Sequence, residues 1–198
     1  MEQIFAKIYK ENLWQNKESV SGRGSTLNWT TNLRKNLSLV LTELNVKTFL
    51  DLPCGDFNWG KTFDYGEINY IGGDIVEEIV KENQRKYGND KTKFLHINLS
   101  KDVLPDVDII MVRDCLMHLS DEDSLKCIDN IKKSKIDYML ISSNPDKIKN
   151  SKKSKTSKDL RRQNLEILPY NLGTPIKYID DSNPHVPSKR LGLWKIHN

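Results

Sequence analysis

Cysteine is scarce in this 198-residue sequence, and the three residues, Cys54, Cys115 and Cys127, form no CxxC pair. An odd number of widely spaced cysteines argues against a disulfide framework, and the missing pair spacing argues against a structural zinc site. One alternative stays open, because Cys54 and Cys115 would each follow a strand end and could bind a metal ion together with His118. We expect reduced thiols and no metal.

Long apolar runs are also missing, since no stretch approaches the roughly 20 apolar residues that a membrane-spanning helix needs. The first residues, 1–4, lack the basic flank and the apolar stretch of a secretory signal. We therefore expect a cytoplasmic protein without a membrane partner.

Positive charge is concentrated in one stretch. Residues 147–162, called the basic segment below, hold eight lysines and arginines against Asp159 alone, within a chain whose net charge is +4. This segment could bind an anionic acceptor such as a phosphate, a nucleotide-linked sugar or RNA, or it could be a solvated loop. No aromatic residue lies among its charges, which favours the solvated loop and makes a nucleic-acid partner unexpected. The oligomeric state cannot be predicted from this pattern.

From residue 47 onward, short apolar runs alternate with helical patterns, as in a parallel sheet with crossover helices. The predicted strands cover 47–52, 69–74, 93–98, 107–113 and 136–142, followed by an antiparallel pair at 175–180 and 190–196. Helices are predicted over 75–87 and from Ser120, whose hydroxyl would cap the first turn. The predicted fold is α/β, with one seven-stranded, mostly parallel sheet, an antiparallel terminal strand and flanking helices. We predict a single domain, with an N-terminal helical segment and lid over 1–46 and a core over 47–198.

Two carboxylates end the first two predicted strands, Asp51 and Asp74. Because the carboxyl ends of parallel strands meet at one crevice, these acids predict a nucleoside cofactor there. A carboxylate at the first strand tip would repel the pyrophosphate of a dinucleotide but would attract a sulfonium or an ammonium group. The predicted cofactor is therefore S-adenosylmethionine, with Asp74 accepting hydrogen bonds from its ribose hydroxyls and Asp51 attracting its ammonium. Each acid taken alone could instead cap a helix or a turn.

Further cofactor contacts are predicted around the same rim. Gly55 allows close backbone approach in the turn after the first strand, and Asn98 could offer a donor and an acceptor to an adenine edge unless it is a simple turn residue. The remaining predicted cofactor residues are Cys54, Asp56, Trp59, Ile75, Leu99 and Arg113.

Asp114 and His118 follow the fourth strand and predict the reaction centre. Methyl transfer from a sulfonium needs alignment, plus a base where the nucleophile is a hydroxyl. We predict His118 as that base, with Asp114 orienting it or binding the acceptor, although a lone histidine could also be structural. The residues predicted to contact the acceptor are Trp14, Arg23, Ser25 and Asn144.

The chain resembles class I S-adenosylmethionine-dependent methyltransferases over residues 47–196. It is similar to a bacterial subgroup in this class that carries Trp14, Ser21-Gly22-x-Gly24-Ser25, Asp51-Leu52-Pro53-Cys54-Gly55-Asp56-Phe57-x-Trp59, Arg113-Asp114 and His118-Leu119-Ser120. This resemblance implies a Rossmann-like domain that transfers a methyl group to a hydroxyl of a small or carbohydrate acceptor, such as a glycan or a nucleotide-linked sugar. Pro53 and Cys54 replace the first small residues of the class's cofactor loop, and Asn98 stands where an acid is usual.

Three other functions remain open from the sequence. A nicotinamide-dependent oxidoreductase would use the same topology, but the turn at 51–60 lacks its spaced glycines. A non-catalytic partner protein could bind S-adenosylmethionine without transferring its methyl group. An RNA methyltransferase would use the basic segment to bind its acceptor.

Overall fold

The computed structural model describes residues 1–183 and 185–197, and its strands form one seven-stranded sheet. The strands are β1 (Thr48–Asp51), β2 (Asn69–Asp74), β3 (Thr92–His96), β4 (Ile109–Val112), β5 (Tyr138–Ser143), β6 (Lys177–Asp180) and β7 (Arg190–Lys195). Their order across the sheet is β3-β2-β1-β4-β5-β7-β6. The helices are α1 (Glu2–Lys10), α2 (Thr31–Glu43), α3 (Glu77–Tyr87) and α4 (Asp121–Lys133).

Strands β1 to β5 pair in parallel, whereas β7 is antiparallel to both β5 and β6. The predicted α/β class, the seven strands and the antiparallel terminal pair are confirmed. The strand bounds differ from the prediction by at most two residues, and those of β2 match it at both ends. The largest functional consequence is at β3, which ends at His96 and leaves Asn98 in a turn.

Helices cover both faces of the sheet, so its central strands are apolar on both sides. Leu50 of β1 faces a cluster with Ile128 and Ile131 of α4, and its neighbour Phe49 faces the opposite cluster with Leu37 of α2. All five side chains are buried. This two-sided burial holds the carboxyl ends of β1, β2 and β4 in place at one rim.

The helix starts explain which polar groups reach that rim. Ser120 Oγ accepts a hydrogen bond from Asp123 N at 3.0 Å, which confirms the predicted cap of α4. Helix α3 begins at Glu77, two residues later than predicted, because Val76 is extended and its amide donates to Asp74 Oδ1 at 2.9 Å. None of the helices within 1–183 and 185–197 is long and apolar enough to cross a membrane.

Candidate active site

A cavity of about 430 Å³ lies outside the carboxyl ends of β1, β2 and β4. This volume is in the range of small-molecule sites. The predicted site residues that line it are Trp14, Arg23, Ser25, Asp51, Cys54, Gly55, Trp59, Asp74, Ile75, Leu99, Arg113, Asp114, His118 and Asn144. Residues separated by more than 100 positions in the sequence thus meet at one rim.

The two strand-end carboxylates are buried in the wall of the cavity. Asp51 accepts a hydrogen bond from Tyr70 Oη at 3.1 Å, and Asp74 accepts from Gly55 N at 3.1 Å. Burial raises the pKa of Asp51 to about 7, although the Tyr70 hydroxyl opposes the shift. Burial raises the pKa of Asp74 to about 6, against the hydrogen bonds from backbone amides. The ionised forms of both acids therefore lack a full set of partners within the protein.

The turn after β1 packs closely against the loop that precedes α2. Gly55 has φ +56°, and a Cβ at this position would lie 2.2 Å from Ser21 Oγ. The amide of Asp56 donates to the same Ser21 Oγ at 2.8 Å. Glycine is thus required at position 55 both by the backbone angle and by the approach of the loop.

Asp56 does not line the cavity. Its carboxylate accepts hydrogen bonds from Ser19 Oγ and from Val20 N, both at 2.9 Å. The residue therefore anchors the loop before α2 to the β1 turn, and a direct cofactor contact has no geometric support.

Asn98 also lies outside the cavity lining. Its Oδ1 accepts from Ser100 N at 3.0 Å and from Ser100 Oγ at 2.7 Å, while its backbone N–H donates to Asp102 Oδ2 at 2.7 Å. These bonds use the side-chain acceptor within the turn, as Asx turns do. The contacts of Asn98 are therefore those of a turn residue, which is the alternative to its predicted role at an adenine edge.

A buried ion cluster closes one side of the cavity and consists of Arg113, Asp114, Asp181 and Lys189. Arg113 binds Asp181 through Nε at 2.9 Å and through Nη2 at 3.1 Å. Lys189 Nζ lies 2.7 Å from Asp114 Oδ2 and 2.8 Å from Asp181 Oδ2. Arg113 Nη2 also donates to Gly24 O at 2.9 Å. The cluster therefore positions the glycine-rich loop at residues 21–25 over the cavity.

The cluster also decides what Asp114 can do. Lys189 and Arg113 hold the pKa of Asp114 far below its usual range despite burial, so its carboxylate is ionised. In the part of the chain that the structure describes, no hydrogen bond joins Asp114 to His118. Asp114 acts on the imidazole through its charge. The ion pair with Lys189 orients the carboxylate of Asp114.

His118 lies buried at the cavity wall beside Trp14, with the two ring centroids 5.4 Å apart. Among the described residues, its Nδ1 has no hydrogen-bond partner. Burial lowers the pKa of His118 below its ordinary value, with Asp114 opposing the shift, so the imidazole is neutral at pH 7. A neutral imidazole can accept a proton at its unprotonated nitrogen.

The basic segment packs beside His118, whereas the sequence favours a solvated loop. Ser157 N donates to His118 O at 2.9 Å, and Arg161 N donates to Met117 O at 3.1 Å. Trp14 Nε1 donates to Lys158 O at 3.4 Å, which links the segment to the N-terminal region. Several of its lysines remain exposed, but Leu160 and Arg162 line the cavity.

Other residues at this site are absent from the sequence-based prediction. Phe5 and Tyr9 of α1 line the cavity, as does Met1 just before this helix, and Tyr9 Oη donates to Glu82 of α3 at 2.8 Å. Phe5 lies on an apolar helical face, but the periodicity does not specify which surface that face covers. Lys189 lines the cavity from the residue before β7, where only its position at the start of an antiparallel strand could have indicated a place at the rim.

Within 1–183 and 185–197, no group of three histidines, cysteines, aspartates or glutamates is arranged to hold a metal ion. Cys54 and Cys115 both line the cavity near His118. Burial raises the pKa of both thiols well above its ordinary value, which disfavours the thiolate that a metal requires.

No family model matches the sequence, and no curated protein matches it. Solved structures do match the fold. Human N-acetylserotonin methyltransferase in complex with S-adenosylmethionine has a TM-score of 0.67 at 13% identity, with 100% of this chain and 60% of that chain covered. Magnesium protoporphyrin IX methyltransferase from Synechocystis, with bound S-adenosylmethionine, has a TM-score of 0.67 at 14% identity, with 99% of this chain and 97% of that chain covered.

A third similar structure is 1,6-didemethyltoxoflavin-N1-methyltransferase from Burkholderia thailandensis, which holds 1,6-didemethyltoxoflavin and S-adenosylhomocysteine. Its TM-score is 0.67 at 15% identity, and the match covers 100% of this chain and 87% of that chain. At such identities the likeness establishes the fold alone. The chain has the Rossmann-like fold of class I S-adenosylmethionine-dependent methyltransferases.

Proposed function

We propose that the chain is an S-adenosylmethionine-dependent methyltransferase that acts on a hydroxyl of a small acceptor. One observation carries this proposal: the buried carboxylates of Asp51 and Asp74 share a cavity with the neutral imidazole of His118. The carboxylates suit a cationic nucleoside cofactor, and the imidazole suits an acceptor that must lose a proton.

The donor set at the strand ends fits this cofactor. Asp74 keeps lone pairs free after accepting from Gly55 N and Val76 N, and these can accept from two ribose hydroxyls. Asp51 is buried with one hydroxyl partner, Tyr70, and gains from a nearby ammonium. When bound, S-adenosylmethionine supplies a methyl group that its sulfonium makes electrophilic.

His118 performs the proton transfer in this proposal. Its imidazole would accept the proton of the acceptor hydroxyl that S-adenosylmethionine, when bound, would methylate. The ionised Asp114 stabilises the imidazolium that results, because it lies close enough to raise the pKa of His118. Trp14 covers the imidazole and limits access of water.

The acceptor and the lid are further parts of the proposal. The resemblance in the sequence favours a carbohydrate acceptor, such as a glycan or a nucleotide-linked sugar, and Trp14 offers an aromatic face for a sugar ring. Residues 1–46 serve as the lid of a single methyltransferase domain, because α1 and the loop at Gly24 both line the cavity.

Titration calorimetry with S-adenosylmethionine tests the cofactor. Asp74→Asn should weaken binding by about 100-fold, since it removes charge-assisted hydrogen bonds worth roughly 1.5–3 kcal/mol each. Asp106→Asn is the matched control, because Asp106 is exposed and does not line the cavity. Equal affinity in the Asp74 variant and the wild type would remove the cofactor assignment.

A labelling assay tests the transfer. The protein is incubated with methyl-labelled S-adenosylmethionine and separate small-molecule, glycan, protein and RNA fractions of a cell lysate. We expect label in the small-molecule or the glycan fraction, and loss of it with His118→Gln, which should keep its cofactor affinity. His197→Gln is the control, because His197 is exposed and lies outside the cavity lining. Label in RNA alone would favour an RNA methyltransferase, and no label in any fraction would favour a binding protein.

A further inference from the structure

The cavity lining contains four cationic side chains, and three of them already have partners. Arg113 and Lys189 are paired within the ion cluster with Asp114 and Asp181. Arg23 lies over the ring of Trp29, 4.7 Å from its centroid, and contacts His185 Nε2 at 3.3 Å. The fourth cation is Arg162.

Arg162 is exposed and lines the cavity, and within the described residues it has no hydrogen bond and no ion pair. The adjacent Arg161 differs in this respect. Its guanidinium is buried and binds the Asp121 carboxylate, Ser151 O at 2.6 Å and Tyr170 Oη at 2.6 Å. Two consecutive arginines thus have opposite environments, one fixed inside the protein and one open to the cavity.

The backbone places Arg162 close to the proposed reaction centre. Arg161 N is bonded to Met117 O, and Ser157 N is bonded to His118 O, so the basic segment runs alongside residues 117 and 118. Leu160 and Arg162 of this segment line the same cavity as His118. An acceptor whose hydroxyl meets the His118 imidazole therefore lies within reach of the arginine side of the cavity.

The cavity charges differ between its two ends. Asp51 and Asp74 are at the cofactor end, whereas the net charge of the ion cluster is zero, and neither Arg23 nor Arg162 has a carboxylate partner among the described residues. A cationic cofactor would offset negative charge at the acidic end, while Arg23 is held by Trp29 and His185 and Arg162 stays open to an anion. Guanidinium groups bind carboxylates and phosphates through two parallel hydrogen bonds, so an anion is the complementary ligand.

We infer that the acceptor carries an anionic group, a carboxylate or a phosphate, which Arg162 binds while the hydroxyl of the same molecule faces His118. This inference rests on the proposed function. It adds a specificity-determining residue and restricts the substrate to anionic hydroxyl compounds.

Proton NMR of the histidine rings tests this site with simple anions. The chain has four histidines, and the His118 ring signal is identified by its loss in His118→Gln. The pKa of His118 is measured with S-adenosylhomocysteine present, with and without millimolar inorganic phosphate, and at constant ionic strength set with sodium chloride. An anion held beside the imidazole should raise this pKa by about half a unit or more.

Arg162→Gln should abolish this rise, and Lys149→Gln should retain it, because Lys149 is an exposed cation of the same segment outside the cavity. A parallel titration with acetate separates the two ligand sources, since a rise with acetate indicates a carboxylate site and a rise with phosphate alone indicates a phosphate site. No rise with either anion in the wild type, or an equal rise in Arg162→Gln, would overturn the inference.

Calorimetry with S-adenosylhomocysteine on the same samples distinguishes the two proposals. Cofactor binding without an anion effect overturns only the role of Arg162. An anion effect without cofactor binding supports the anion site and overturns the proposed function.

Discussion

Lys189 Nζ lies 2.8 Å from Asp181 Oδ2, and both side chains are almost completely buried. The same nitrogen lies 2.7 Å from Asp114 Oδ2. Lys189 therefore links the carboxylate of Asp181, which follows β6, to the carboxylate of Asp114, which follows β4. This link lies at the wall of the cavity.

Lys189→Met should lower the free energy of unfolding by about 3–5 kcal/mol, because two buried carboxylates would then share Arg113 alone. Arg190→Met is the control, since the next residue forms an ion pair with Asp180 at 3.2 Å in which both side chains are partly exposed. We expect that change to cost less than about 1 kcal/mol. Urea unfolding measures both values, and equal losses would show that the buried cluster does not contribute more than a surface pair.

Asp51→Asn should stabilise the protein at pH 8. Burial raises the pKa of Asp51 to about 7 in the folded state, against about 3.9 in the unfolded chain. Because the folded state binds this proton more tightly, protonation of Asp51 favours folding. This contribution to the free energy of unfolding is fully present below about pH 4 and is lost as the pH rises through about 7. The asparagine has no charge to bury and can still accept from Tyr70, so it should gain roughly 1–3 kcal/mol at pH 8 and little at pH 4. Thermal unfolding at both pH values measures this difference, and a gain independent of pH would contradict the explanation.

S-adenosylmethionine should bind more weakly as the pH falls from 8 to 5. The pKa values of Asp51 and Asp74 are raised to about 7 and about 6, and a cationic ligand favours their ionised forms. Binding near pH 6.5 should therefore release protons. Calorimetry in buffers of different ionisation heats counts those protons, and the affinity should fall by up to about tenfold per pH unit across this range. Proton uptake on binding would be the opposite of this expectation.

Turnover should persist below pH 6.5, the ordinary value for histidine. Burial lowers the pKa of His118, so the base stays neutral into mildly acidic solution. With the acceptor found by labelling and with saturating cofactor, kcat/KM for the acceptor reports the imidazole before the acceptor binds, and it should fall only when the pH drops below this lowered value. His118→Gln should lose about 100-fold or more in kcat/KM at pH 7 and above, where the imidazole is neutral. An acid limb above pH 6.5 would assign the titration to a different group.

The strand ends that carry Asp51 and Asp74 could be predicted because their signal is local. Each aspartate directly follows an apolar run, and parallel pairing of β1 with β2 brings the two ends to one edge of the sheet. The cap at Ser120 is local in the same way, since a hydroxyl before three acids indicates a helix start.

The contacts of Asn98 and Lys189 could not be predicted by such means. Asn98 follows an apolar run, but whether its amide faces a cavity or Ser100 depends on the turn geometry that follows. Lys189 reaches Asp114 only because β7 inserts between β5 and β6 with reversed direction, which brings the residue before the strand to the rim. In a mixed sheet, the residues that reach this rim therefore follow the parallel strands and precede a strand that runs in the opposite direction.

The reversed direction of β7 also affects the order in which the site is completed during synthesis on the ribosome. Residues 1–180 supply Asp51, Asp74, Arg113 and His118, but they lack both the strand that pairs with β5 and the cation that binds Asp114. A nascent chain of that length exposes the edge of β5 and leaves Arg113 without Asp181. We therefore expect the bond from Arg113 to Gly24 to reach its full strength only when Asp181 and the last strand hold the guanidinium in place.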